Sequence, residues 1–351
     1  MAVRNGCICD SKSSACIEST QWRHRSTPAS SSSSNSFALG GTATTVTETA
    51  RPAACASDRN RRTRSAISGR ATGAQPSART TSSIGRIESQ IGDPIKLSDF
   101  RPVACDELGR VGNRNDGGYV VPLQAVTAAG ALLSFGLSHD WTFERDFKHR
   151  NPAAIVHCYD HTVSLRTAFL YSLGQLAASI VRFKARYLHR AFTWIDYLLF
   201  FQSDKVHFRQ RVWRDRQDDS VTIDDAFDRL PVNCQVFVKM DIEGSEYRVL
   251  DDLLKHSGNV VALAIEFHDV DIVAERFNSL VEQIKHDFYI VHIHGNNMGG
   301  VAPFNFPIAP EITFLNKRFF NSVPQPTGLK YPVEGLDRPN RPDLPDFAFK
   351  F

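Results

Sequence analysis

Residues 236–250 read VFVKMDIEGSEYRVL, and this short stretch contains two periodicities. Val236 to Met240 is apolar except for Lys239, the near-continuous run that a strand covered on both faces requires. From Glu246 onward, Tyr247, Leu250, Leu253 and Leu254 recur on one face of a helix. Asp241, Glu243 and Gly244 fall where the strand gives way to the helix. A buried strand running at once into a helix is half of a crossover unit, so the stretch predicts a parallel α/β sheet.

The same alternation extends both ways from it. Residues 132–136 (LLSFG), 154–160 (AIVHCYD), 260–268 (VVALAIEFH) and 289–295 (YIVHIHG) read as further strands, and 206–212 as a weaker one. Thr222 and Asp225 make a capping-box start to the helix TIDDAFDRL. Residues 271–287 repeat Val273, Phe277, Leu280 and Ile284 as a helical stripe. These elements predict a doubly wound α/β sheet. Residues 311–317 (EITFLNK) read as a last edge strand, and 324–351 as a Pro-rich surface tail. Residues 165–201 form a helical insertion, with Arg166 inside its apolar part and Arg182, Lys184, Arg186 and Arg190 following. That makes it too short and too charged for a membrane span. The alternative is a basic amphipathic surface resting on a membrane as a peripheral contact.

Charge divides the chain. Residues 1–90 hold twelve Lys/Arg against five acids, a balance of +7, and the remaining residues balance at −4. The basic excess therefore belongs to a Ser/Thr/Arg-rich segment with few large apolar residues, which is expected to be disordered. It has the composition of an organellar transit peptide, a flexible linker or a start codon chosen too far upstream. The folded part, 91–323, is mildly acidic and calls for no nucleic-acid partner. Four of the seven cysteines lie in the basic segment, and Cys105, Cys158 and Cys234 are far apart without a CxxC pair. That excludes a disulfide framework and a zinc ribbon, and the expected setting is reducing and cytoplasmic.

In an open α/β sheet, ligands bind beyond the carboxyl ends of the strands, where the strand order reverses. Five places qualify. Ser134 to Ser138 (SFGLS) ends the first strand, and Gly136 permits a tight turn and close backbone approach. Asp160 ends the second strand, where a carboxylate can accept the hydroxyls of a ribose or cap the following helix. At the fourth strand tip stand Asp241 and Glu243, with Glu246 in the first helical turn, where it favours the helix dipole. Glu266 and His268 share a face at the next tip. His292, His294 and the turn GNN follow the sixth, and histidine can take a proton near neutral pH.

VFVKMDIEGSEYRVL resembles the signature of FkbM-type methyltransferases. NDGGYVVP (115–122) and LLSFGLSHDWTFERDF (132–147) resemble upstream blocks of the same family, over about residues 100–320. The resemblance implies a Rossmann-like class I methyltransferase fold with a seven-stranded sheet and S-adenosylmethionine as cofactor. It implies that Gly136 and Ser138 lie against the cofactor and that Asp160 holds its ribose. Asp241 would face the methyl group from the fourth strand tip, Glu243 would contact the cofactor, and Asp116, Gly117, Gly118 and Tyr119 would form a loop near the cofactor or acceptor mouth. SFGLSHD is thin beside the GxGxG of many methyltransferases.

The expected chemistry is O-methylation of a hydroxyl on a sugar, glycan-like or secondary-metabolite acceptor. Asp241, His268 and His294 are the candidate bases, unranked by sequence, and no metal is expected. Three rivals stand beside this. One is a metal-assisted reaction using Asp241, Glu243, Glu266 and His268. Another is a non-catalytic or membrane-associated binding module that keeps the fold. The last is a nicotinamide oxidoreductase, disfavoured by the missing GxGxxG. Acceptor contacts are expected from 165–215 and 295–310.

Overall fold

The computed structural model describes residues 95–182 and 191–351. The basic segment 1–90 and the charges at 184, 186 and 190 lie outside the described residues. The chain opens with a hairpin, β1 (Leu108–Gly112) and β2 (Gly118–Pro122), and α1 (Leu123–Ala128). There follow β3 (Ala131–Phe135), α2 (Thr142–Arg150) and β4 (Ile155–Tyr159). Helices α3 (Leu165–Arg182) and α4 (Thr193–Phe200) occupy the insertion. Next come β5 (Lys205–Phe208), β6 (Arg211–Val212), β7 (Ser220–Val221), α5 (Ile223–Asp228), β8 (Val236–Met240) and α6 (Glu246–Leu254). The fold closes with β9 (Val260–Glu266), α7 (Ala274–Asp287), β10 (Phe288–Gly295) and β11 (Pro310–Asn316).

Seven strands form one sheet in the order β10-β11-β9-β8-β3-β4-β5. All neighbours pair in parallel except β11, which is antiparallel to β9 and β10. This is the mostly parallel α/β sheet that the alternation predicts, with the seven strands and Rossmann-like form that the resemblance implies. The apolar runs are continuous because both faces are covered. In β3, Ala131, Leu133 and Phe135 pack on one side with α6 and α7, while Leu132 packs on the other with α2 and the hairpin. Strand β8 divides likewise, with Val236, Val238 and Met240 on the helix side and Phe237 and Lys239 on the hairpin side. The capping box also forms: Thr222 Oγ1 accepts the Asp225 amide and Asp225 Oδ2 accepts the Thr222 amide, each at 3.1 Å.

Two expectations are corrected. Residues 311–317 do not form an edge strand; β11 (Pro310–Asn316) inserts between β9 and β10, and its seven residues are all buried. An edge assignment followed from its place last in the chain, whereas pairing is decided by the hairpin return that brings it back inside β10. Nor is 324–351 a surface tail. Thr327, Tyr331, Val333, Asp337, Asn340 and Phe349 are buried. Asp337 lies 3.2 Å from His292 Nε2, and Asp346 Oδ1 lies 3.0 Å from His294 Nε2. Proline-rich composition excludes helix but not burial, and the histidines of β10 supply the partners that hold this segment down. Among the described residues no helix is long and apolar enough to cross a membrane.

The His294 lock makes stability depend on pH. Burial by itself would lower the His294 pKa, but its hydrogen bonds with Asp346 and Glu311 carry it up to about 10. An unfolded histidine titrates near about 6.5. The contribution of the imidazolium is therefore complete below that value and is lost as pH rises through about 10. Urea unfolding of the wild type and His294→Gln, run from about pH 7 to about pH 10, is expected to show a gap in unfolding free energy that narrows with pH. A gap that widens contradicts the charged lock.

Candidate functional site

From β3 the chain moves outward to β4 and β5, then returns to the other side of β3 as β8. The strand order reverses between β3 and β8, so the cleft opens above Gly136 and Asp241. Gly136 has φ +83°, and a Cβ there would overlap the Asp241 carbonyl oxygen. Only glycine lets the two strand tips meet this closely. The Asp241 amide donates to the Phe135 carbonyl at 2.9 Å, which fixes the contact from the other side.

Beneath the tips, the buried ammonium of Lys239 donates to the Gly136 carbonyl at 2.7 Å and lies 3.7 Å from Asp241 Oδ2. Burial would lower its pKa, but the charges of Asp241, Glu144 and Glu266 hold it above the ordinary lysine value. Asp160 clamps the loop. Its Oδ2 accepts the amides of Leu137 and Ser138, both at 2.9 Å, and its Oδ1 accepts the amide and hydroxyl of Thr162 at 2.7 and 2.6 Å. Burial would raise the Asp160 pKa, but the bonds from Thr162, Leu137 and Ser138 outweigh it and hold the group ionised. Both oxygens are thus committed to the protein, and Asp160 shapes the loop instead of offering a free pair of acceptors to a ribose. Ser138, at φ +50°, completes the turn. These residues wall a cavity of about 400 Å³, together with Trp213, Asp241, Ile242 and Glu243.

Beside this cavity the acids gather around one imidazole. His268 Nε2 lies 3.8 Å from Asp241, 3.5 Å from Glu243 and 3.9 Å from Glu266. Its Nδ1 lies 3.2 Å from Glu246 Oε1, which also accepts the Ile242 amide at 2.9 Å. Glu246 stands in the first turn of α6, as the dipole reading has it, and is fully buried, where it also orients the ring. Burial would lower the His268 pKa, but Glu246, then Glu266 and Asp241, carry it up to about 9. Burial, then Asp241 and Glu311, push the Glu266 carboxyl well above its usual range, and Asn296 donates to it at 2.7 Å. The Tyr119 hydroxyl reaches Glu266 at 3.4 Å and Asp241 at 3.5 Å. One donor atom each from Asp241, Glu243 and His268 lies within 4.8 Å of the others, a set able to hold a cation.

The fold thus brings Gly136, Ser138, Asp160, Tyr119, Asp241, Glu243 and His268 to one place. His294 stands apart in β10, with Glu311 on Nδ1 at 3.0 Å and Asp346 on Nε2, so neither nitrogen is open to a substrate. Gly117 and Gly118 shape the hairpin turn, and Asp116 accepts from Asn340 Nδ2 at 3.2 Å. The sequence reading gave Lys239 and Asn296 no role. The signal for Lys239 was its place inside the apolar run VFVKM, where a charge stays only if partners await it.

No protein-family model matches the chain, and no curated protein matches it. Among solved structures, the fibrillarin/Nop5p complex aligns at 11% identity over 62% of this chain and 98% of its own, with TM-score 0.30. Methanococcus jannaschii fibrillarin aligns at 9% identity over 55% of this chain and 68% of its own, with TM-score 0.31. Precorrin-6y C5,15-methyltransferase from Geobacter metallireducens GS-15 aligns at 10% identity over 56% of this chain and 86% of its own, with TM-score 0.29.

Gly136→Ala is expected to cost more than about 3 kcal/mol, since it combines a positive φ with overlap of backbone. Gly174→Ala, inside α3 with open space around it, is expected to be neutral or to stabilise by about 0.5–1 kcal/mol. Chemical denaturation of both variants checks the contrast; equal effects would mean that the tips can part without loss.

Proposed function

We propose that this chain is an S-adenosylmethionine-dependent methyltransferase of FkbM type that methylates a hydroxyl of a glycan-like acceptor. The observation that carries this is the contact of Gly136 with Asp241 at the switch point. There the signature-like KMDIEGSE block meets the end of β3 over a cavity of about 400 Å³.

The residues present fit the cofactor. The cavity floor at Gly136 is bare backbone, the loop 137–138 is held rigid by Asp160, and the rim at Asp241 and Glu243 is negative, complementing a cationic sulfonium. Bound there, S-adenosylmethionine supplies an electrophilic methyl group. The chain's own contribution is mostly alignment, which can supply about 7–11 kcal/mol of a barrier.

Asp241 is the base in this reading. It lines the cavity, its side chain is partly exposed, and Lys239 and Tyr119 fix its position from below. An acceptor hydroxyl beside it hands its proton to the carboxylate. Glu246 holds the Nδ1 side of His268, whose Nε2 faces the acids and keeps the crowded carboxylates together. His294 takes no part, having both nitrogens engaged.

A second reading places a divalent cation among Asp241, Glu243 and His268, favoured by the closeness of their donors. Glu246 on Nδ1 leaves Nε2 directed at the carboxylates, as a ligating histidine requires. Activity unchanged by EDTA removes this reading, and activity lost to EDTA and restored by Mg²⁺ or Mn²⁺ establishes it.

The full chain is expected to unfold roughly 5–10 °C higher with S-adenosylmethionine at about 100 times its dissociation constant, and not with NAD. Asp241→Asn is expected to keep most of that shift and lose about 10²–10⁴-fold in turnover. Turnover near wild type in Asp241→Asn overturns the assignment of the base. A thermal shift with no turnover on any hydroxylated acceptor favours the binding module.

A further inference from the structure

A second cavity, of about 710 Å³, adjoins the first across Ser138, which lines both. Its walls come from four separate parts of the chain: the hairpin loop at Asp116, the turn 138–142, the insertion at Tyr171 and Phe192, and the C-terminal segment at Asn340. Of the segments expected to touch an acceptor, only the insertion contributes; nothing from 295–310 lines it.

The wall chemistry is specific. Phe192 is 56% exposed, an apolar face open to the cavity's surroundings, and the His139 and Tyr171 rings stack at 4.5 Å. Asn340 is only 5% exposed, and its Nδ2 donates to Glu311 at 2.7 Å and to Asp116 at 3.2 Å. Its Oδ1 has no hydrogen-bond partner, and neither do Thr142 Oγ1 and His139 Nε2. Three buried polar atoms without partners, on residues that line one cavity, are costly unless a ligand's groups complete them.

The charges here discriminate. Asp116, Asp140 and Asp196 line the cavity, and the lining cation, Arg145, is already paired with Asp196. A phosphate or carboxylate entering would face carboxylates without a free cation among the described lining residues, and like charge brought together disfavours it. Hydroxyl groups, donors and acceptors at once, suit both the carboxylates and the unmatched amide.

We propose that this cavity is the acceptor subsite, and that it takes an uncharged polyhydroxylated ring, a neutral sugar unit, with its apolar face toward Phe192 and its hydroxyls toward Asp116 and Asn340. The inference rests on the methyltransferase reading, because the sugar hydroxyl must reach past Ser138 toward Asp241.

The test is saturation-transfer NMR on the full chain with S-adenosylhomocysteine present. The probes are the methyl glycosides of glucose, galactose and rhamnose, set against glucuronate and glucose 6-phosphate. At least one neutral glycoside is expected to bind at least about tenfold more tightly than either charged sugar, about 1.4 kcal/mol. Asn340→Leu and Phe192→Ala are each expected to weaken that binding about tenfold or more while the thermal shift with S-adenosylmethionine persists. The exposed Phe192 serves if Asn340→Leu does not fold. Charged sugars binding as well as neutral ones, or glycoside binding unmoved in the folded variants, overturns the subsite. Lack of all sugar binding with the thermal shift intact also overturns it and leaves the cofactor reading standing. Absence of the thermal shift removes the reading beneath it.

Discussion

Lys239 brings a full positive charge into the centre of the sheet, and the geometry of the site depends on how that charge is satisfied. Its stem leaves β8 on the face opposite Val238 and Met240, toward Tyr119 of the hairpin, and its ammonium ends between Gly136 and Asp241. An unpaired ammonium in such surroundings would cost several kcal/mol. Here it receives a carbonyl and the charges of three carboxylates, so it ties the tip of β3 to the tip of β8. The Gly136 turn, the Asp160 clamp and the placement of Asp241 all follow from keeping these two tips in register.

Around this ammonium the site concentrates negative charge. Asp241, Glu243, Glu246 and Glu266 surround one imidazole, and the fold offsets their repulsion in different ways. Glu246 takes an amide and a ring nitrogen, Glu266 takes the Asn296 amide and has its pKa raised well above its usual range, and Asp241 has Lys239 and Tyr119. Asp241 and Glu243 remain open to the cavity. Structural carboxylates and cleft carboxylates thus sit side by side, separated by what each is bonded to.

The C-terminal segment shows the same logic at longer range. It contains no helix or strand of the sheet, yet Asp337, Asn340 and Asp346 dock onto His292, Glu311 and His294. That docking removes His294 from the candidate bases and turns Asn340 into a wall of the second cavity. A histidine within a strand-tip cluster reads from sequence as a possible base. Only partners some fifty residues downstream reveal it as a structural cation.

Much of the fold was legible because it is written in local periodicity. Apolar runs marked the parallel strands, the Thr222–Asp225 box marked a helix start, and the acids after VFVKM marked the switch point. The resemblance of KMDIEGSE pointed to the same cleft. The hairpin 108–122 was missed as paired strands, since its short residue runs carry no clear alternation. Residues 311–317 read as a strand but not as an inner one, because strand order is not a property of the strand itself.

By itself, then, the sequence determined the order and type of the main elements and placed Gly136 and Asp241 at strand ends, since backbone and burial preferences act over a few residues. The tertiary structure decided which carboxylates stay free, where β11 inserts, and that four distant segments enclose a second cavity. Those outcomes rest on hydrogen bonds and ion pairs between residues far apart in the chain, such as Asn340 with Asp116. Such a bond is set by the folded geometry, and neither partner's neighbours in sequence encode it.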